Sequence, residues 1–155
     1  MIWSFVMLKL EEILEMWKKD SVLDPFDLGE GSIATARIHA KYLELLSVTK
    51  LQLKRKEMQQ KVLLKDKWMY FTGVMTKDEM DERGWDYDPF KGGRKPLKSD
   101  LGYFFEADED LQKSQATIDY IKSVIETLES IMTHITWRHQ TIGNAIKWRQ
   151  LESGS

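Results

Sequence analysis

Apolar residues recur every three or four positions near the start of the chain, and this spacing predicts one face of an amphipathic helix. The helix is expected to run from Trp3 to Lys19, so that the opening MIWSFVML is its first part and not a signal peptide. Lys18 and Lys19 would then lie at the negative end of the helix dipole. The apolar positions are Val6, Leu10, Ile13, Leu14 and Trp17.

The second predicted helix is much longer. Residues 20–31 contain an Asp-Pro pair and two glycines, which predict a turn. Ser32 is expected to cap a helix that runs to Thr72 and stops at Gly73, with no proline or glycine between its ends. An unbroken helix of this length would span about 60 Å. It is too long for a compact monomer unless it bends or packs against other chains.

The C-terminal segment, residues 107–155, has the most regular pattern and is predicted to form a third long amphipathic helix. Its apolar stripe is wide enough to need more than one neighbour. Self-association is the simplest source of neighbours, although other helices of the same chain would also serve. Gly143 is the weakest point of this predicted oligomerisation helix. The stripe, here called the C-terminal frame, consists of Leu111, Ile118, Ile121, Ile125, Leu128, Met132, Ile135, Ile142 and Ile146.

The central residues 74–106 interrupt these patterns with six glycines and prolines among acids and isolated aromatic residues. This composition predicts a long irregular loop with at most a short strand or helical turn. The predicted fold is therefore all-α. A long N-terminal helix pair occupies residues 1–73, followed by the acidic, glycine-rich loop and the C-terminal helix at residues 107–155.

Charge is segregated along the chain, although the net charge is only −2. Residues 32–73 carry nine Lys and Arg against three acids, whereas residues 74–110 carry six against eleven. A basic block beside an acidic one indicates a polyanionic or acidic partner. The sequence has no cysteine and no run of about 18 apolar residues, which argues against disulfides and a membrane span. We therefore expect a protein of the cytoplasm.

No group of residues predicts catalysis or a bound cofactor. His134 and His139 lie five positions apart, which turns them to different faces of a helix and does not suit a shared metal. The acids at Asp78–Glu82 and Glu106–Asp110 match no calcium-binding loop. The basic glycine-rich run near Gly92 lacks the ending of a phosphate-binding loop. We expect a function in binding, without enzyme activity, metal or cofactor.

The basic block has an organised face on the second predicted helix. At 100° per residue, four lysines and one tryptophan fall within about 60° of arc, with Arg55 flanking them and Lys67 on another side. Cations on phosphates and a ring under a base are how single-stranded nucleic acid is held. This face, here called the basic stripe, consists of Lys50, Lys54, Lys61, Lys65 and Trp68.

The basic stripe is also compatible with two roles that do not involve DNA. One is an ordinary solvated helix face, and the second is a non-catalytic coiled-coil adaptor whose basic helix docks an acidic protein partner. Only Glu57 and Asp66 are acidic between Lys50 and Lys67, so ion pairs along the helix do not account for most of the cations. The sequence has no helix-turn-helix pattern and no arginine-rich face, which disfavours reading of duplex DNA.

Three stretches of the chain resemble the UvsY family of phage recombination mediators. LEEILEMWKKD at Leu10–Asp20 is similar to the family's N-terminal helix, and KVLLKDKWMYFTG at Lys61–Gly73 is similar to its most recognisable segment. The stretch from ADEDLQ, beginning at Ala107, to RQLESG at the end is similar in layout to the family's C-terminal helix. Together these stretches cover about two thirds of the chain.

The resemblance implies an all-helical protein that assembles through its C-terminal helices into a ring of six or seven subunits. It also implies binding of single-stranded DNA, help in displacing the phage single-strand-binding protein, and loading of a RecA-like recombinase, UvsX. The residues that match the family's DNA-contacting segment are Lys65 and Lys67, with Lys61 and Arg55 as supports. Two lysines stand where the family usually has a lysine and an arginine, which keeps the charge but loses the planar fork.

The chain departs from the family pattern in two further places. About seven extra residues precede Met7-Leu8, and the loop at residues 74–106 is longer than usual. Lys65 is selected both by the basic stripe and by the resemblance. It is therefore the strongest single prediction for a DNA contact.

Overall fold

The computed structural model describes residues 9–154, and within this range it contains α-helices, turns and no β-strand. The all-α prediction is confirmed. Val6 and the opening MIWSFVML of the first predicted helix lie outside the described residues. No helix in the described range is both long enough and apolar enough to span a bilayer. The helices are α1 (Leu10–Asp20), α2 (Leu28–Thr72), α3 (Lys77–Arg83), α4 (Leu101–Ala107) and α5 (Glu109–Ser153), with a 3-10 turn at Lys98–Asp100.

Side-chain caps account for two helices that begin away from their predicted positions. Helix α2 starts before Ser32 because the Asp27 carboxylate accepts a hydrogen bond from the Glu30 amide, at 3.3 Å. Helix α5 starts after its predicted first residue because the Asp108 carboxylate accepts one from the Leu111 amide, at 3.0 Å. An aspartate before a helix satisfies amides that have no partner within the first turn. Each of these two helix starts is therefore determined by one aspartate, Asp27 for α2 and Asp108 for α5.

One compact unit contains residues 9–52 and 121–154, and so comprises α1, the first part of α2 and most of α5. Its fully buried side chains come from all three helices and include Ile13, Tyr42 and Leu128. The Trp17 ring meets the Tyr42 ring edge to face, with 5.6 Å between centroids. The predicted apolar face of α1 therefore packs into this unit, with Ile13 buried at its centre.

A hydrogen-bonded network around Asp20 ties the end of α1 into this unit. Its carboxylate accepts from the Lys41 ammonium at 2.7 Å and from the Tyr42 hydroxyl at 2.8 Å. Its main-chain carbonyl accepts from the buried Arg138 guanidinium at 2.6 Å, and Arg138 also donates to the Thr35 hydroxyl at 3.3 Å. Burial opposes ionisation of Asp20, but the bonds from Lys41 and Tyr42 outweigh it and lower its pKa.

The C-terminal frame lies inside the fold of the single chain. Seven of its nine residues are buried, and Met132 and Ile146 are partly buried. Packing within one chain leaves the seven buried side chains little surface for contact with another copy, which argues against the prediction that they form that contact. The neighbours of the frame are helices of the same chain. Helix α5 also continues without interruption through Gly143.

The second compact unit, residues 53–120, contains the stretch that was predicted to be an irregular loop. This stretch instead holds α3, the 3-10 turn and α4, and only residues 84–97 between α3 and the 3-10 turn form a longer irregular connection. Its core is a cluster of buried apolar residues against which five partly buried apolar side chains pack, most of them aromatic. Four of the aromatic residues that are isolated in the sequence, Trp85, Phe90, Phe104 and Phe105, therefore pack against one core, whereas Tyr87 and Tyr103 are exposed. The buried members are Tyr70, Phe71, Met75, Met80 and Leu101.

Local signals explain how α3 forms in this glycine-rich stretch. The Thr76 hydroxyl accepts from the Glu79 amide at 3.3 Å, and the Glu79 carboxylate accepts from the Thr76 amide at 2.9 Å. This reciprocal pair satisfies two amides of the first turn. Gly84 ends the helix with a φ of 67°, a left-handed conformation that favours glycine. The short helix places Met80 in the aromatic core.

Candidate nucleic-acid interface

Four members of the basic stripe lie on the last part of α2, within the second unit, and all four are exposed. They are Lys54, Lys61, Lys65 and Trp68, with the Trp68 side chain 52% exposed and the Lys65 side chain 65% exposed. Arg55 is also exposed on the same helix. This part of α2 has no proline or glycine, so the helical register keeps these side chains on one surface.

The lysines of this surface are almost unneutralised. Within the described residues, neither Lys54 nor Lys61 forms an ion pair with a carboxylate. Lys65 approaches only its neighbour Asp66, at 3.5 Å, and Asp66 also receives the Arg83 guanidinium at 3.2 Å. An exposed pair of this kind contributes little, so the Lys65 ammonium remains available to another anion.

Lys50 differs from the rest of the basic stripe. It belongs to the other compact unit, where its ammonium lies 3.4 Å from the Glu129 carboxylate and both side chains are 52% exposed. The pair is weak at this exposure and would yield to a stronger anion. Lys50 is therefore a secondary candidate, and the surface carried by the second unit is the main one.

Lys67 is buried, with 4% of its side chain exposed, which does not fit its predicted role as a DNA contact. Its ammonium lies 2.9 Å from carboxylate oxygens of both Asp108 and Asp110. It also lies 3.9 Å from the centroid of the Trp85 ring and 5.5 Å from that of Tyr70. A cation held by two carboxylates and an aromatic face has no free side to offer a phosphate. This arrangement is here called the Lys67 cluster.

The Lys67 cluster is nearly saturated with hydrogen bonds. Lys67 donates to the Asp110 carboxylate and lowers its pKa against the opposing effect of burial, and a hydrogen bond from Trp85 lowers it further. The Tyr70 hydroxyl donates to the Asp86 carbonyl at 2.8 Å, and burial followed by nearby carboxylates raises the pKa of Tyr70. Buried polar groups that are all paired stabilise one arrangement. We therefore assign Lys67 a structural role in the second unit.

The sequence holds no clear signal for this cluster. Asp108 and Asp110 lie at the start of α5, where acids are expected from the helix dipole alone. Trp85 lies between a helix end and a loop, and nothing in its spacing relates it to Lys67. The match between Lys67 and the family's DNA-contacting position gave the opposite indication.

The exposed surface of α2 matches what single-stranded nucleic acid requires. Lysine ammonium groups bind phosphates as point charges, and an exposed indole such as that of Trp68 stacks on any base. Among the described residues no group of histidines and carboxylates is arranged to hold a metal ion. The exposed surface of α2 is therefore suited to binding the phosphates and the base faces of a single strand.

Comparisons with known proteins identify relatives of this chain. Residues 16–155 match the family model described as "Recombination, repair and ssDNA binding protein UvsY". The recombination protein uvsY of Enterobacteria phage T4 is 27% identical over 147 residues, which cover 95% of this chain and 99% of that protein.

Crystal structures of the bacteriophage T4 recombination mediator protein UvsY are similar as well. One matches with a TM-score of 0.79 and 25% identity over 94% of this chain and 98% of its own. A second, at 22% identity, matches in fold with a TM-score of 0.76 over 94% of this chain and 99% of its own. Because the family model matches residues 16–155 and the fold is shared over 94% of the chain, this protein belongs to the UvsY family of recombination mediators.

Proposed function

We propose that this protein is a recombination mediator that binds single-stranded DNA as a ring-shaped homo-oligomer of six or seven subunits. In this role it helps to displace the phage single-strand-binding protein and loads a RecA-like recombinase of the UvsX type, in the host cell cytoplasm. Membership of the UvsY family supports the general role. The observation that carries the DNA-binding part is the exposed surface of Lys54, Lys61, Lys65 and Trp68.

The proposed mechanism follows from weak contacts that are repeated. A few lysines of one subunit bind a strand weakly, and the affinity falls as salt rises because the release of bound counterions becomes less favourable. A ring repeats the same surface, so a strand captured by one subunit meets the next at high effective concentration. The strand then follows a path around the ring that the resident binding protein does not share. That protein loosens, and the recombinase nucleates on the exposed strand.

Assembly of the proposed ring needs a surface other than the C-terminal frame. The first unit exposes several large apolar side chains on α5, with Trp137 61%, Trp148 64% and Leu151 70% exposed. Trp137 and Trp148 are eleven residues apart, which places them on nearly the same side of the helix. Exposed aromatic residues are enriched at protein interfaces. We propose that these side chains, and not the buried frame, contact neighbouring subunits.

Fluorescence anisotropy with a labelled oligonucleotide and its hairpin, at two salt concentrations, tests the DNA-binding proposal. We expect tighter binding of the single strand and a marked loss of affinity at the higher salt concentration. Native mass spectrometry of the same samples measures the subunit number with and without the strand. Tighter binding of the hairpin would overturn the mediator mechanism. Absence of DNA binding together with capture of an acidic protein would favour the adaptor alternative.

A further inference from the structure

The second unit contains an open cavity of about 570 Å³ that the proposed DNA-binding surface does not use. One wall is aromatic, formed by Trp85, Phe90, Phe104 and Tyr103. The Phe90 and Phe104 rings pack edge to face with 5.2 Å between centroids, and the Tyr103 side chain is 72% exposed. The Trp85 ring already holds the Lys67 ammonium 3.9 Å from its centroid, so Tyr103 is the ring that the cavity offers to a ligand from outside.

The charge of the cavity lining is negative. Two lysines, Lys67 and Lys91, face four carboxylates. The Lys67 ammonium is already shared between Asp108 and Asp110, so it adds no free positive charge. The remaining carboxylates, Asp86 and Glu109, are exposed. The net negative charge of the lining would repel a phosphate and attract a cation.

Hydrogen bonds hold the loop side of the cavity in shape. The Asp88 carboxylate accepts from the Phe90 amide at 2.9 Å and from the Gly92 amide at 2.6 Å. These two bonds, Gly92 first, lower the pKa of Asp88. The Tyr70 hydroxyl fixes the Asp86 carbonyl at 2.8 Å. A preformed site loses less entropy when a ligand binds.

We propose that this cavity binds an arginine or lysine side chain of a protein partner. Aromatic faces attract cations through their quadrupole, and carboxylates at the rim pair with the ammonium or guanidinium group. The apolar wall receives the aliphatic stem of the same side chain. The partner is thus a basic segment with apolar residues beside its cation. This inference does not depend on the proposed function, because it concerns a different surface of the second unit.

Two short fluorescent peptides test the proposal with the full-length protein. Both contain one central cationic position among apolar residues, with arginine in one and its neutral analogue citrulline in the other. Fluorescence anisotropy is expected to show about fivefold tighter binding of the arginine peptide, the effect of one cation–π contact. Equal affinity of the two peptides would overturn the proposal.

Variants locate the site. Asp86→Asn with Glu109→Gln removes the exposed carboxylates of the lining, and binding of the arginine peptide should fall about fivefold. Asp78→Asn with Glu82→Gln removes two exposed acids of α3 outside the lining and should leave binding unchanged. Equal losses in the two double variants would indicate nonspecific attraction to an acidic unit and would contradict the proposal.

Tyr103→Ala provides a second test that does not involve charge. Its exposed ring contributes little to folding, so helicity by circular dichroism should be unchanged. Loss of arginine-peptide binding with unchanged oligonucleotide affinity supports the proposal. A loss of oligonucleotide affinity with peptide binding intact would mean that the cavity takes a DNA base, and the proposal would be wrong.

Discussion

Lys65 and Lys67 lie two residues apart on α2, and their environments are opposite. The Lys65 side chain is 65% exposed and, among residues 9–154, forms an ion pair only with its neighbour Asp66. The Lys67 side chain is 4% exposed and lies between two carboxylates. Two steps along a helix turn a side chain by about 200°, which is enough to move it from solvent to the interior. The same residue type therefore serves as a mobile surface charge at one position and as a core component at the other.

The energetics of the two lysines differ accordingly. An exposed lysine contributes little to stability, but its ammonium is free to release counterions when it meets a phosphate. A buried ammonium loses its hydration and is tolerated only when other groups replace that hydration. Asp108, Asp110 and the Trp85 ring do so for Lys67. Removal of each lysine should consequently affect a different property of the protein.

The largest effect is expected for Lys67→Met. The substitution leaves the Asp108 and Asp110 carboxylates beside an apolar side chain, and loss of one partner of a buried pair costs about 3–5 kcal/mol. Urea unfolding followed by circular dichroism should show this loss, while Lys65→Met should change the free energy of unfolding by less than about 0.5 kcal/mol. If the two variants are equally stable, Lys67 does not have the structural role that distinguishes it from Lys65.

A second effect, on DNA binding, is expected for Trp68→Ala. Stacking of a base on an aromatic ring contributes about 1–3 kcal/mol, so affinity for single-stranded DNA should fall by roughly tenfold or more. Trp68→Phe keeps an aromatic face and should retain most of the affinity. The exposed position of Trp68 makes folding insensitive to both changes. Unchanged anisotropy titrations for the alanine variant would exclude stacking at this position.

A smaller change is expected for Lys61→Ala combined with Lys65→Ala. Each phosphate contact that is lost should flatten the slope of log affinity against log salt by about 0.7 for a single strand. Stability and subunit number should stay the same, because alanine favours helices and both lysines are exposed. Lys56→Ala, on another side of α2, is the matched control and should keep the slope. If the slope of log affinity against log salt is unaltered in the double variant, the basic stripe is a solvated helix face that does not contact DNA.

The smallest effect concerns pH and the Lys67 cluster. The folded-state pKa of Asp110 is lowered from its ordinary value of 3.8, mainly by the hydrogen bond from Lys67. A lowered pKa adds stability at pH values above the ordinary value and loses it as pH falls through the folded-state value. Asp110→Asn should therefore be less stable than the natural chain near neutral pH, with the difference shrinking below about pH 4. The effect is modest because the Asp110 side chain is 44% exposed.

Measurement of thermal unfolding from acid to neutral pH for the natural chain and for Asp110→Asn checks this expectation. Lys65→Ala serves as the control, since it removes an exposed lysine of the same helix that is not part of the Lys67 cluster. A difference between the natural chain and Asp110→Asn that grows toward acid would reverse the assigned sign and contradict the role of the cluster.

The helical part of the fold follows from local chemistry that the sequence displays. Apolar spacing predicts α1 and α5, and the absence of proline and glycine from Ser32 to Thr72 predicts α2. Gly73 ends α2 with a φ of 80° as expected. The predicted start of α2 is wrong because Asp27, and not Ser32, caps it. The prediction of an irregular loop misses α3, although Thr76 and Glu79 form a capping pair that is readable in sequence. The glycines and prolines on the C-terminal side of this pair give the stretch the composition of a loop.

Partnerships over long sequence separation were decided by the tertiary structure. The width of the C-terminal frame shows that α5 needs neighbours, but periodicity does not say whether they belong to the same chain. The same limit applies to Lys67, since its partners Asp108 and Asp110 lie about forty residues further on. Charge and spacing along α2 determined that a cationic surface exists. Only packing decided which cations remain on that surface, because the free energy of a charge depends on the water and counter-charges around it in the folded chain.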